Sequence, residues 1–183
     1  MITDVSLTRA TFWKSIEEFL IAFSTPAIAD DGIHVIYGSA DDQSLPPDNE
    51  FIVYTPISQS RRGRTFQEWH KTDDVIGWRE YVEVILQIDC YSSSPVHAMS
   101  RAQTFETMAR SEAGVDFLKA RHIDCLYADS VRNLTNLLDS GKPVPRWSLE
   151  LHVGYWKQLQ TDQDYFTSAD VDVINVDVRF PPS

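Results

Sequence analysis

Between Ile88 and Ala98 the sequence IDCYSSSPVHA places Asp89, Cys90, three serines and His97 within a few positions of one another. A thiol, an imidazole and a carboxylate are the parts of a cysteine nucleophile with a base and an orienting acid. That chemistry needs a partly exposed thiol beside positive charge. Cys90 instead continues an alternation set by Val82, Val84, Leu86 and Ile88, which predicts a small apolar side chain in the core. The serines suit local geometry equally well. Ser94 precedes Pro95, a good first helical residue, and a serine there caps the helix. His97 would lie in that helix's first turn, where the dipole disfavours an imidazolium. The stretch therefore reads as strand end, turn and cap, with a small cytosolic hydrolase or transferase using Cys90 and His97 as the enzymatic alternative.

The remaining candidates for chemistry are sparser. His34, His70, His122 and His152 have no HExxH spacing, and HIDC at His122–Cys125 offers two metal ligands without a second pair. Asp170 and Asp172 have no calcium-loop pattern around them. No GxGxxG, GxxxxGK[ST] or GxSxG occurs, and seven glycines supply little for a phosphate cradle. No catalytic residue, cofactor or metal is expected. The concentrated basic feature is SRRGR, with Arg61, Arg62 and Arg64, which suits an acidic partner surface or a phosphate if it is not simply solvated.

These residues must be positioned by regular elements. Phe12, Ile16, Phe19, Leu20 and Phe23 recur at helical spacing, predicting a helix over 6–24, capped by Ser6 or Thr8 and stopped by Pro26. IHVIYG at 33–38 reads as a short strand. EFIVYTPISQS reads as another, with Pro56 marking an edge or a bulge. RRGRTFQEWHKTDDVIG, about residues 61–77, reads as a protruding loop or open hairpin arm, with Phe66 and Trp69 suggesting that it docks. REYVEVILQIDCYS is the clearest strand. A second helix spans 95–110 with Met99, Ala102, Phe105 and Met108 or Ala109 as its stripe, and a break near Gly114 precedes a short helical turn. Strands from Cys125 and from Arg146 follow, the second alternating Trp147, Leu149, Leu151, Val153 and Tyr155 against Ser148, Glu150, His152 and Trp156. In ADVDVINVDVRF the alternation shifts phase between Val173 and Ile174, as at a bulge or a change of partner. The order predicts one α+β domain over 1–183, with helices on one face of a mostly antiparallel sheet, an N-terminal helix within 1–26 and an acidic C-terminal segment at 160–183.

Composition narrows the function. A chain of 183 residues, 43% hydrophobic and 23% charged, can bury a proper core. A net charge of −11 argues against broad nucleic-acid binding. The longest apolar runs, such as FLIAF at 19–23, are far below the ~20 residues of a membrane span. The N-terminus has no basic segment ahead of an apolar core, and two cysteines form no disulfide framework, so a reducing cytosol is expected.

From Phe51 to Trp156 the chain resembles phage neck and tail terminator proteins. The resemblance rests on Gln87, Asp89 and Tyr91 at a strand end, then Ala98 and Ala102 in the following helix. Arg146 then precedes an alternating strand that ends in Tyr155 and Trp156. It implies a non-enzymatic virion subunit, assembled in the bacterial cytoplasm, that forms a homo-hexameric ring at the head-proximal end of the tail. Its implied partners are the tail tube and sheath or other tail subunits, and the head connector or neck proteins. DNA would pass through the lumen without specific binding. Arg61, Arg62, Arg64, Phe66, Trp69, Tyr155 and Trp156 are the interface candidates. A head-completion or neck adaptor subunit is the nearest alternative, and a monomeric binding module using Trp69 and Trp156 a more distant one.

Overall fold

The computed structural model describes residues 2–4, 9–38, 46, 48–70, 75–135 and 144–162. Three long strands form its spine: β3 (Phe51–His70), β4 (Val75–Tyr91) and β7 (Arg146–Asp162). β4 lies between the other two and pairs antiparallel with both, Tyr91 meeting Phe51 on one side and Arg146 on the other. The pairing with β7 is unbroken from Val75↔Asp162 to Tyr91↔Arg146. At ~3.3 Å per residue such strands extend about 55 Å.

Short strands occupy the flanks. β2 (Val35–Tyr37) pairs with Ile52–Tyr54 in parallel, so the sheet is mixed although mostly antiparallel. On the outer side of β7 three pieces follow one another: β6 (Arg132–Asn133) beside Trp147–Ser148, β5 (Asp124–Ala128) beside Leu151–Gly154, and β1 (Ile2–Asp4) beside Leu159–Thr161. The sheet order among the described residues is β1-β7-β4-β3-β2, with β5 and β6 also on β7.

Three helices cover one face: α1 (Arg9–Ala22), α2 (Pro95–Arg110) and α3 (Glu112–Lys119). The core joins Phe12, Ile16, Phe19 and Leu20 of α1 to Phe105 of α2, Leu118 of α3 and the inward residues of the sheet. Val82, Val84, Leu86, Ile88 and Cys90 are all buried, as their alternation predicts, together with Leu149, Leu151 and Val153 of β7. The α+β class holds.

Several local expectations change. The stripe of α2 keeps Ala102, Phe105 and Ala109 of the reading, but its first turn buries Ala98 in place of Met99, and it also buries an arginine, Arg101. The break between α2 and α3 is at Ser111, whose extended backbone ends one helix while its hydroxyl accepts from Gly114 N (3.1 Å) to start the next. Gly114 serves close packing instead: a Cβ there would meet Met108 O at 2.1 Å. Of the 61–77 stretch, read as a protruding loop or open hairpin arm, residues 61–70 and 75–77 are antiparallel strand, and 71–74 lie outside the described residues. The ladder has register shifts at Pro56/Ser58 and Arg62/Phe66. Ser6 and Thr8, the phase shift at 173–174 and all of 163–183 lie outside the described residues, while 160–162 complete β7.

Candidate functional site

The IDCYSSSP turn is structural, by a different mechanism from the one its sequence suggests. Ser94 occupies the N-cap of α2 but makes no side-chain cap bond. Ser92, fully buried, takes over: its hydroxyl accepts from Ser94 N (3.0 Å) and donates to Glu50 (2.5 Å). The same carboxylate accepts from the Ser93 backbone and hydroxyl (both 3.1 Å) and, through its other oxygen, from Arg101 Nη1 (2.6 Å). Arg101, 3% exposed, also donates to the carbonyls of Pro26 (3.0 Å) and Tyr91 (3.3 Å). Burial pushes the Glu50 carboxyl up, but the bonds from Ser92 and Arg101 outweigh it and hold the group below the usual range. This lock ties the start of β3, the end of β4 and helix α2 together. The only sequence signal for it was an arginine on a stripe of small residues.

Cys90 is sealed under the helices, and burial drives its thiol far above the ordinary range. His97 is exposed on α2. A core thiol of this kind is not a thiolate nucleophile, so the Cys90–His97 reading loses its reactive group. Cys125 is half-buried, its thiol pushed up to about 11 by burial, and its Sγ donates to Ala109 O (3.2 Å).

The face of the sheet away from the helices carries buried charge. Glu83 is 2% exposed and meets Arg62 and His152, the latter at 3.2 Å. Bonds from Arg62 and then His152 hold its carboxyl below the usual range. Tyr127 of β5 stacks on His152 at 4.0 Å. Further along, Asp89 takes two bonds from Arg146 (3.1 and 2.9 Å). This bidentate pair joins two residues on which the resemblance rests. Asp129, Glu150 and His152 bring one potential metal ligand atom each within 4.8 Å of one another. Arg132, 2.5 Å from Glu150, already supplies positive charge there.

Beyond this body the three long strands continue as an arm. β3 is exposed throughout residues 57–68. The SRRGR residues lie at its bulge, where Gly63 takes φ +80, a conformation costly for any other residue. The bulge separates their roles. Arg62 turns to Glu83, Arg61 lies 3.6 Å from Glu80 on the opposite face, and Arg64 is exposed.

Phe66 of β3 and Trp156 of β7 come together across the intervening β4, at 6.2 Å between ring centroids. Tyr81 packs edge-on to Trp156 at 5.2 Å, and the Arg79 guanidinium lies 5.8 Å from the same ring. The group lines an open recess of about 400 Å³ together with Gln67 and Glu68. Phe66 is 58% exposed and Trp156 42%. Tyr81 can lie flat only because β7 has Gly154 beneath it, where a Cβ would meet the Tyr81 hydroxyl at 2.1 Å. That hydroxyl donates to Asp124 of β5 (3.0 Å).

The other candidates separate. Tyr155 faces the helices and packs on Phe12 at 5.1 Å, while the Trp69 backbone pairs with Ile76 at the far end of the arm. Among the described residues no helix is long and apolar enough to cross a membrane. The arm thus carries three exposed arginines, two of them paired within the chain, and an aromatic recess at Phe66 and Trp156. Compared with known families, residues 10–182 match the family described as phage neck terminator protein. No curated protein matches the chain.

Proposed function

Since the chain belongs to the phage neck terminator family, and is thereby a structural protein of the phage neck, we propose that it closes the head-proximal end of the tail as a six-fold ring and joins tail to head. The match across 10–182 carries this reading. The arm supports it: a closing ring needs two different complementary surfaces on each subunit, and the arm carries exposed arginines and aromatics away from the body's core. One subunit's arm would reach the next, with Arg61, Arg62, Arg64, Phe66 and Trp156 in the contact and Trp69 near the tip. The upper and lower faces of the ring would meet the head connector or neck proteins and the tail tube and sheath. A net charge of −11 suits a lumen through which DNA slides, because carboxylates repel phosphates and discourage sticking.

Electron microscopy of particles carrying a labelled copy tests the placement. Density at the junction of head and tail is expected; density at the distal tail tip or inside the capsid refutes it. Replacing Arg61, Arg62 and Arg64 together by alanine is expected to reduce ring formation and yield unjoined heads and tails. Wild-type assembly by that variant would remove the arm from the interface.

A further inference from the structure

Asp129, Glu150 and His152 take part in neither the Glu50 lock nor the arm, yet each brings one potential ligand atom within 4.8 Å of the other two. Two strands assemble the trio. Glu150 and His152 are two apart on β7 and share the face away from the helices. β5 runs beside them, with Tyr127 opposite His152 and Ala128 opposite Leu151, and the Asp129 backbone N–H donates to Glu150 O at 2.8 Å. The bulge between Cys125 and Tyr127 sets the phase of β5. Cys125 bonds to Ala109 of α2 on the inner side, and beyond the bulge Tyr127 and Asp129 both meet the outer residues of β7.

The histidine separates this trio from a patch of surface acid. Its side chain is 7% exposed, and Tyr127 stacks on it at 4.0 Å. Its Nδ1 faces the buried Glu83 carboxylate at 3.2 Å. A carboxylate that takes the Nδ1 proton leaves the imidazole lone pair on Nε2, the arrangement that orients metal-ligating histidines. Among the described residues, no hydrogen bond or ion pair engages His152 Nε2 or the Asp129 carboxylate. Glu150 is held through Oε1, by Arg132 Nη2 at 2.5 Å. Arg132 belongs to the two-residue strand β6, and its side chain is 57% exposed.

We propose that Asp129, Glu150 and His152 bind a divalent transition metal of the zinc class, which displaces Arg132 from Glu150 and pins β5 to β7. The imidazole nitrogen selects against magnesium and calcium, which take oxygen ligands, and the two carboxylates complete a donor set that zinc accepts. Three protein ligands leave the fourth position of a tetrahedral ion to water. Ligand atoms held about 2.1 Å from such an ion lie roughly 3.4 Å apart. The trio closes to that spacing by rotation of Asp129 and Glu150, both only partly buried. Arg132 answers one of the two carboxylates, whereas a doubly charged ion answers both. All three ligands come from one chain, so the site is independent of the ring reading.

Untagged full-length protein, stripped with EDTA, is titrated with zinc chloride by isothermal calorimetry, with the fold of each variant checked by circular dichroism. Saturable binding by the wild type is expected. Asp129→Asn and His152→Ala should each weaken it by more than the roughly tenfold that loss of an outer-sphere partner costs. Arg132→Ala should bind zinc more tightly than the wild type, because the competing cation is gone. Asp129→Asn is isosteric at a partly exposed position and carries the test if His152→Ala does not fold. Absence of zinc binding by the wild type overturns the proposal. So does wild-type affinity in Asp129→Asn or in folded His152→Ala, or an Arg132→Ala variant that binds no more tightly than the wild type.

Discussion

Replacing Glu50 by alanine would strip the buried Arg101 of its counter-charge while leaving its position in α2 unchanged. The carboxylate now accepts bonds from Ser92, Ser93 and Arg101, at 2.5 to 3.1 Å. Breaking one side of a buried pair costs about 3–5 kcal/mol, mostly the cost of the stranded charge. Arg101 keeps the Pro26 and Tyr91 carbonyls, and the Glu50 side chain is 22% exposed, so water partly compensates. The lower end of the range, about 3 kcal/mol, is therefore expected. For a chain of this size 1 kcal/mol moves the Tm by about 2–4 °C, giving a fall of about 6–12 °C by circular dichroism. Adding Arg101→Met should cost less than its effect alone, with a coupling of at least about 1.5 kcal/mol. A Tm within about 2 °C of wild type for Glu50→Ala, with additive behaviour in the double variant, would refute the lock and leave the Ser-Ser-Ser turn an ordinary exposed bend.

Gly154→Ala should destabilise by about 1–3 kcal/mol through overpacking against Tyr81, and Tyr81→Ala should relieve much of that strain. Equal effects of Gly154→Ala in both backgrounds, by denaturant unfolding, would disprove the contact. Native protein should resist iodoacetamide at pH 7.5 and take two equivalents once denatured; rapid labelling of Cys90 in the native state would contradict its burial. Glu83 and Glu50 titrate below the usual carboxylate range in the folded chain. Their contribution is thus complete above the unfolded-state pKa and is lost as pH falls through the lower folded values. Chemical denaturation from pH 7 to 3 should show stability falling on the acid side, with a shallower fall in Glu83→Gln.

The parts of the fold with a strict period were legible. The inward residues of β4 and β7 are those their alternation selects, because a one-residue slip would turn every side chain to the wrong face. The hairpin was harder to read because its strands lack a buried face there: RRGRTFQE has no apolar alternation, and neither does GWREYV, the stretch of β4 to which its ladder bonds hold it. In α2 the reading took Met99 over Ala98 and missed Arg101, because alanines give little hydrophobic contrast and Arg101 looks like a surface residue until Glu50, far away in sequence, is brought to it. The candidate surface was half legible. Phe66 and Trp156 meet, but their meeting depends on Gly154 and Tyr81, whose roles arise only from the register of three strands. Tyr155 belongs to the core side for the same reason its neighbour does not.

β4 is bonded on both margins from the helix-covered body out to Val75. An extension built this way acts as a stiff lever. From Val82 to Val75 it reaches about 25 Å, so a tilt of about 5° at its root displaces its end by about 2 Å, enough to miss a hydrogen bond. Small errors in seating the globular part would be magnified at the far contact, and a closed circle of such levers would tolerate few misaligned members.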